Sequence, residues 1–274
     1  MKYNSSKWKH KLRSKFYKFI PPELYVTIMP TYYKFFNKNR RNCPYIFKVE
    51  ENERTILYDN NGTRFYFMGY RRINNYIYPE GLGRKKQSMK KKYCYSVFNI
   101  EPGDIVIDIG ANVGEFTLMA SQHAEKVFSF EPDPNCFYCL KKNTDNIDNI
   151  EIFEYGVSKA NDSKSFYLSS EDADSSLIKP KIYTNKIEIN TIRLDSWMKS
   201  KGISKIDFLK VEAEGAELEV LEGLGDKIEF VQKVSVDGGA ERYGKTTSNE
   251  VDQYLQSNGF HTYVINHHVY ARRK

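Results

Sequence analysis

The chain has 274 residues, 40% of them apolar, which is enough for one α/β domain and an extension. Its net charge of +7 is unevenly divided: residues 1–100 carry 22 Lys and Arg against 6 Asp and Glu, and residues 101–274 carry 20 against 29. No apolar run approaches the roughly 18 residues that span a bilayer, no secretory signal is recognisable, and four scattered cysteines favour a reducing compartment. We therefore predict a cytoplasmic protein with a basic, aromatic-rich extension over residues 1–100 and a larger domain over residues 101–274.

Residues 1–41 combine cations with aromatic side chains, 11 Lys and Arg against the single acid Glu23. Apolar residues recur at helical spacing from Trp8 to Ile20, and a second apolar stretch runs from Leu24 to Met29. Such stripes are typical of an interfacial helix on an anionic membrane. Two alternatives stay open: the aromatic side chains pack on the main domain while the lysines are only solvated, or the region binds nucleic acid through phosphate contacts and base stacking.

Residues 45–78 alternate between apolar and polar side chains, which predicts a small antiparallel module. The sequence Asn60-Asn61-Gly62 is a hairpin turn signal within it. The lysine-rich segment that follows, residues 84–92, is typical of a solvated face.

The segment V-I-D-I-G-A-N-V-G-E-F-T, residues 106–117, predicts a buried strand, a tight glycine loop and the start of a helix. A nucleotide crevice has this local arrangement. The spacing of Gly110 and Gly114 does not fit a dinucleotide-binding loop, and Asp108 would repel a pyrophosphate. The same carboxylate suits a ligand with an ammonium and a sulfonium group, so the loop predicts S-adenosylmethionine.

The next predicted strand ends at Glu131-Pro132-Asp133-Pro134. Glu131 follows Gly110 by 21 residues, close to the distance at which such folds place an acid on the ribose hydroxyls. A carboxylate suits this task because it accepts two hydrogen bonds from a cis-diol. A glycine loop or a Glu-Pro step alone is often only a turn, but their order and spacing here favour a cofactor site.

From residue 104 onward, strand and helix patterns alternate as a parallel sheet requires. The fold class predicted is α/β and Rossmann-like, with a seven-stranded, mostly parallel sheet that ends in an antiparallel strand. The predicted strands are 104–109, 126–130, 150–155, 205–211, 230–236, 260–265 and 267–272. The predicted helices are 115–123, 134–143, 194–200, 216–223 and 248–257, with Asn258-Gly259 closing the last.

Charged side chains gather where the predicted strand 205–211 ends. Because ligands of doubly wound sheets bind beyond the carboxyl ends of the strands, Lys210, Glu212 and Glu214 are expected to face the crevice. Groups this close shift one another's pKa values, as in active sites. Glu217 is better explained by the favourable position of an acid at a helix N-terminus, an explanation that applies less well to Glu214.

Other polar residues have smaller predicted roles. Asp237 follows the next strand and is a plausible substrate-side group, whereas Asp195 is expected to be a helix N-cap. Ser175-Ser176 lies in a polar loop placed to cover the site, and His267-His268 is expected at the surface. Cys136 and Cys139 lack the further ligands that zinc needs, so half-buried helix cysteines and no metal site are predicted.

Several motifs together resemble the FkbM family of class I methyltransferases: V-I-D-I-G-A-N-V-G-E-F-T, F-E-P-D-P, T-I-R-L-D-S-W, I-D-F-L-K-V-E-A-E-G-A-E and E-R-Y-G, over residues 104–265. The resemblance implies that Asp108, Gly110, Ala111, Asn112 and Gly114 cradle the methionine part of S-adenosylmethionine, and that Glu131 holds its ribose. It also implies O-methylation, chiefly of sugar hydroxyls in glycolipids, polysaccharides and natural products. The family commonly has K-x-D-V-E-G, where this chain has Glu212 and Ala213.

The expected activity is therefore S-adenosylmethionine-dependent O-methylation of a glycan or glycolipid hydroxyl. Glu212 or Glu214 is the expected base or acceptor-orienting group, and Lys210 is expected to position charge in the site. Asp237 is the further candidate for the base. The acceptor can also be a carboxylate, as on a hexuronic acid, which needs no base. Alternatives are a nucleic-acid methyltransferase, against which the absence of an N-P-P-Y or D-P-P-Y motif argues, and a non-catalytic S-adenosylmethionine-binding or membrane-scaffolding protein.

Overall fold

The computed structural model of the chain describes residues 20–36, 46–50, 54–58, 62–73, 81–169, 175–240 and 242–274. They form two compact units that divide between Leu82 and Gly83. Within these residues, none of the helices combines the length and apolar character needed to cross a bilayer.

The described part of the smaller unit contains an α-helix, a short 3-10 helix (Tyr70–Arg72) and a three-stranded antiparallel sheet in the order β1-β2-β3. The α-helix is α1 (Pro22–Phe36), and the strands are β1 (Ile46–Val49), β2 (Arg54–Tyr58) and β3 (Arg64–Met68). The β-type alternation of residues 45–78 predicts this sheet. Asn60 and Asn61 of the predicted turn lie outside the described residues, and Gly62 has the positive φ of 78° that such turns require.

Helix α1 buries its apolar stripe within its own unit. Tyr25, Val26 and Met29 are buried, and the Tyr25 ring meets the Tyr70 ring edge-on at 5.3 Å between centroids. The packing of Tyr25 is therefore internal to the smaller unit. Leu24 and Ile28, one turn apart, remain exposed. The predicted helical stripe from Trp8 to Ile20 falls almost wholly outside the described residues.

The larger unit is a seven-stranded sheet in the order β12-β13-β11-β10-β4-β5-β6. Neighbours from β11 to β6 are parallel, and β13 runs antiparallel to both β11 and β12. This confirms the predicted fold class. The strands are β4 (Ile105–Ile109), β5 (Lys126–Phe130), β6 (Ile150–Phe153), β10 (Ile206–Val211), β11 (Val231–Asp237), β12 (Phe260–Ile265) and β13 (His268–Arg273).

One α-helix precedes β4, and further α-helices lie between the later strands. They are α2 (Gly81–Tyr93), which crosses the division between the units, α3 (Glu115–Ala120), α4 (Pro134–Thr144), α5 (Leu194–Lys201), α6 (Glu217–Glu222) and α7 (Ser248–Ser257). Every predicted helix and strand of the larger unit is present, with ends within three residues of the prediction. Asn258 and Gly259 close α7, Gly259 with φ 85°, as predicted.

Three strands were not predicted. β7 (Gly156–Val157), β8 (Asp162–Leu168) and β9 (Asn185–Ile192) form a separate sheet in the order β7-β9-β8. The N-cap prediction for Asp195 is wrong: Arg193 occupies the cap position, and Asp195 accepts a hydrogen bond from Arg193 Nε at 3.0 Å. A guanidinium two residues away therefore satisfies the carboxylate that capping would have used.

The segment before β4 belongs to the core of the larger unit. Tyr93, Phe98 and Ile100 are buried in one hydrophobic cluster with Val106 and Phe116. The compact unit therefore begins earlier in the chain than the change of charge at residue 100, because burial of these apolar side chains, rather than charge, joins residues 83–100 to it.

Candidate active site

The loop between β4 and α3 requires glycine for steric reasons. Gly110 has φ +69°, and a Cβ atom there would lie 1.9 Å from the backbone oxygen of Glu212. Gly114 has φ +97°, and its Cβ would lie 2.9 Å from the Leu140 side chain. Asn112 between them also has a positive φ, 53°. The loop is thus folded tightly onto the end of β10 and against α4, so its backbone lines the carboxyl edge of the sheet.

Glu131 lies at the end of β5 with its side chain turned back to this loop. Its carboxylate oxygens accept hydrogen bonds from the backbone amides of Asn112, at 2.7 Å, and Asp133, at 2.9 Å. Burial raises the pKa of this carboxyl to about 7. Each oxygen accepts one bond from the described residues and can accept a second, which is the capacity that a cis-diol needs.

Asp108 and Lys210 form a buried ion pair beneath the loop. Lys210 Nζ lies 3.0 Å from Asp108 Oδ1 and donates to the backbone oxygen of Gly110 at 2.7 Å. Thr117 Oγ1 donates to the other Asp108 oxygen at 2.7 Å. Burial opposes the charge of Lys210, but Asp108 and Glu212 outweigh it and raise its pKa. The pair supports the loop from below, with both side chains almost fully buried.

Glu212 continues this network toward solvent. One carboxylate oxygen lies 3.5 Å from Lys210 Nζ, and the other accepts a hydrogen bond from Lys92 Nζ at 2.7 Å. Lys92 Nζ is also 2.7 Å from Asp237 Oδ2. Burial alone would raise the pKa of Glu212, but the two ammonium groups lower it to about 2. Charges therefore alternate in sign from Asp108 to Asp237 across the ends of β4, β10 and β11.

Lys92 was missed from the sequence, since the lysine run in α2 predicted only a solvated face. The helix ends against the sheet: the backbone oxygen of Lys92 accepts a hydrogen bond from Tyr270 Oη at 2.6 Å, and the buried Tyr93 ring meets Phe116 edge-on at 5.3 Å. Nothing in the sequence separates Lys92 from the exposed Lys91 beside it, apart from the aromatic residue that follows.

Glu214 lies in the turn after β10 with a positive φ of 49°. Its backbone oxygen accepts a hydrogen bond from Ser176 Oγ at 2.7 Å, and Ser175 Oγ donates to Asp133 Oδ2 at 2.9 Å. The predicted polar loop therefore bridges the turns after β10 and β5. The catalytic role of the Glu214 carboxylate stays a prediction.

Glu217 has the structural role that its position predicted. The side chain is fully buried, and Oε1 accepts hydrogen bonds from the backbone amides of Gly215, at 2.9 Å, and Ala213, at 3.1 Å. Thr247 Oγ1 donates to its other oxygen at 2.8 Å. These bonds fix the turn that carries Glu214.

The prediction of a surface position is wrong for His268. Its ring is buried, lies 2.8 Å from Ser235 Oγ through Nε2 and stacks on Tyr270 at 4.4 Å between centroids. Strand β13 lies between β12 and β11 and pairs His268 with Asp237 of β11, whereas His267 remains exposed. Burial lowers the pKa of His268 to about 4. Cys136 and Cys139 are buried in α4 and not half-buried as predicted, because both face the interior of the unit. The described residues contain no cluster of potential metal ligands.

Comparison with known proteins places this site in a family. The sequence model of the methyltransferase FkbM domain matches residues 108–262, more than half of the chain. The chain belongs to the FkbM methyltransferase family. The match contains every site residue above except Lys92, Tyr93 and the β13 histidine and tyrosine.

Two curated relatives are methyltransferases by name, and one of them acts on a hexuronic acid. The 2-O-methyltransferase NoeI of Sinorhizobium fredii is 27% identical over 53% of this chain and 68% of its own length. The hexuronic acid methyltransferase AglP of Haloferax volcanii is 34% identical over 50% of this chain and 56% of its own. A solved FkbM methyltransferase from Methylobacillus flagellatus KT is 15% identical, with a TM-score of 0.49 over 74% of this chain and 54% of that one.

Proposed function

We propose that this FkbM methyltransferase transfers a methyl group from S-adenosylmethionine to a sugar hydroxyl of a glycan, glycolipid or polysaccharide. The observation that carries the proposal is the joint position of the glycine loop, Glu131 and a chain of alternating carboxylate and ammonium side chains at one edge of the sheet. The name of AglP supports a carbohydrate acceptor, and the name of NoeI supports transfer of the methyl group to oxygen. Neither name supports nucleic acid as the acceptor.

The loop and its neighbours fit the cofactor. Gly110, Ala111, Asn112 and Gly114 form a cradle in which a Cβ at Gly110 has no room, and Asp108, buried against Lys210, supports this cradle from below. The nearby Glu131 offers acceptors for ribose hydroxyls. When bound, S-adenosylmethionine supplies a methyl group already activated by the sulfonium charge. The network of three carboxylates and two ammonium groups is negative overall, which favours a cationic ligand.

The protein must align the acceptor oxygen and accept its proton. Glu212 and Asp237 lie at the solvent-accessible end of the network and are the acids that an entering sugar reaches first. Two ammonium groups lower the pKa of Glu212 to about 2, so Glu212 is a weak proton acceptor and is better suited to orienting the hydroxyl. Lys210 supports the loop and contributes a positive charge beneath it. Glu214, in the adjacent turn, stays a candidate for the proton acceptor.

A hexuronic acid carboxylate is the second candidate acceptor, supported by the name of AglP. A carboxylate is already a nucleophile, so substitution of the proton-accepting acid would leave its methylation largely intact. Turnover on hydroxyl and carboxylate sugars by an Asp237→Asn variant therefore separates the two acceptors.

We also propose that residues 1–41 hold the chain at the inner, anionic surface of a membrane, supported by their 11 cations against one acid.

Calorimetric titration of the full chain with S-adenosylmethionine and S-adenosylhomocysteine tests the cofactor assignment. We expect micromolar binding of both by the wild type and loss of binding in Glu131→Ala, which removes the acceptors for the ribose. A Ser163→Ala variant, altered in the separate small sheet, is the matched control and should bind normally. Lack of binding by the wild type would favour a non-catalytic protein that retains the methyltransferase fold.

A further inference from the structure

Helix α2 supplies a charged group to the proposed methyl-transfer site from outside the family-matched segment. Lys92 Nζ lies 2.7 Å from both Glu212 and Asp237, and thus bridges the ends of β10 and β11. The hydrogen bond from Tyr270 to the Lys92 backbone and the burial of Tyr93 hold this end of the helix in place. The end of the helix that carries the Lys92 ammonium is therefore anchored to the sheet.

The network is accessible only at the Lys92 end. The side chains of Asp108 and Lys210 are 0% and 2% exposed, whereas those of Lys92 and Glu212 are 36% and 32% exposed. Ligands consequently meet Lys92 and its two carboxylates, while the inner pair serves the loop. Other described titratable groups near Lys92 are Tyr93 on its own helix, Lys210 on β10, and His268 and Tyr270 on β13. His267 lies 3.4 Å from Asp237.

We propose that Lys92 is a positioning residue that sets the charge of the methyl-transfer site and thereby its preference for the sulfonium of the cofactor over the thioether of the product. This rests on the proposed function. The cofactor and product differ by one methyl group and one positive charge, so their affinity ratio reports the electrostatic potential at the site. Three carboxylates attract the sulfonium, and Lys92 limits that attraction while it keeps Glu212 and Asp237 together.

The proposal predicts opposite effects for loss of the cation and loss of an anion. Lys92→Met removes a positive charge and keeps a side chain of similar length, so S-adenosylmethionine should gain about tenfold in affinity relative to S-adenosylhomocysteine. Asp237→Asn removes a negative charge and should shift the ratio the other way. Lys92→Arg should restore the wild-type ratio, and Lys91→Met, an exposed neighbour, should not change it.

Calorimetric dissociation constants of both ligands for all five proteins provide the test, with thermal melting to show that each variant is folded. Equal changes in both affinities, or no change, in Lys92→Met would reduce Lys92 to a structural contact and overturn the proposal. If that variant fails to fold, an unchanged ratio of the two ligand affinities in Asp237→Asn would also overturn the proposal. Failure of the wild type to bind either ligand would instead overturn the proposed function, and this inference with it.

Discussion

At the scale of single residues, the proposed contact of Glu131 with the ribose predicts that cofactor binding is sensitive to pH. Its pKa is raised to about 7 by burial, and the ionised form is the one that accepts hydrogen bonds from ribose hydroxyls. The ionised form predominates above pH 7 and is lost as the pH falls below it. We expect S-adenosylmethionine to bind about tenfold more weakly at pH 6 than at pH 8, measured by calorimetry.

The matched control for this pH dependence is Glu131→Ala, whose residual binding at high ligand concentration should vary little between pH 6 and pH 8. An equally steep pH dependence in that variant would assign the titration to another group. Equal wild-type affinity at both pH values would remove Glu131 from the ribose contact.

His268 predicts a loss of stability in mild acid. Its folded pKa of about 4 lies below the unfolded value of about 6.5, so the unfolded chain binds more protons between these pH values. Stability therefore falls as the pH drops from 6.5 toward 4, by up to roughly 3 kcal/mol from this group. Urea unfolding at pH 7.5 and pH 5 should show a smaller loss in His268→Gln than in the wild type.

His261→Gln is the control for that measurement, because the side chain of His261 is exposed on β12. This variant should lose as much stability between the two pH values as the wild type does. A loss in His268→Gln equal to that of the wild type would show that the acid sensitivity arises elsewhere.

At the scale of elements, the sequence predicted the strands and helix ends that local residue patterns determine. Runs of β-branched residues such as Val106-Ile107 mark strands buried on both faces, and Gly259 marks a helix end. The positions of Lys92 and His268 depend on elements distant in sequence that meet only in the folded sheet. No local period reports such contacts, so both were assigned to the surface. β7 to β9 escaped prediction because their strands are short or mainly polar and partly exposed.

The glycine loop is the element whose geometry is most constrained. Gly110→Ala must displace the end of β10, because its Cβ would lie 1.9 Å from a backbone oxygen, in addition to the strain of φ +69°. Gly202→Ala is a close control, with φ +67° at the end of α5 and no heavy atom within 4 Å. We expect the control to lose about 1 kcal/mol and retain cofactor binding, whereas Gly110→Ala loses several times more and does not bind. Comparable melting temperatures and ligand affinities for the two variants would contradict the steric argument.

At the scale of the whole molecule, the division of charge predicts how the protein meets a surface. The first 100 residues carry a net charge of +16 and the remainder a net charge of −9, so an anionic membrane attracts only one part of the chain. The exposed Leu24 and Ile28 on α1 add apolar side chains to that part. We expect the full chain to float with vesicles containing anionic lipid, to remain behind with neutral vesicles, and to be released as the salt concentration rises. Substitution of both apolar residues by Ser should weaken flotation without changing its salt dependence, whereas equal flotation with neutral and anionic vesicles would contradict electrostatic attachment.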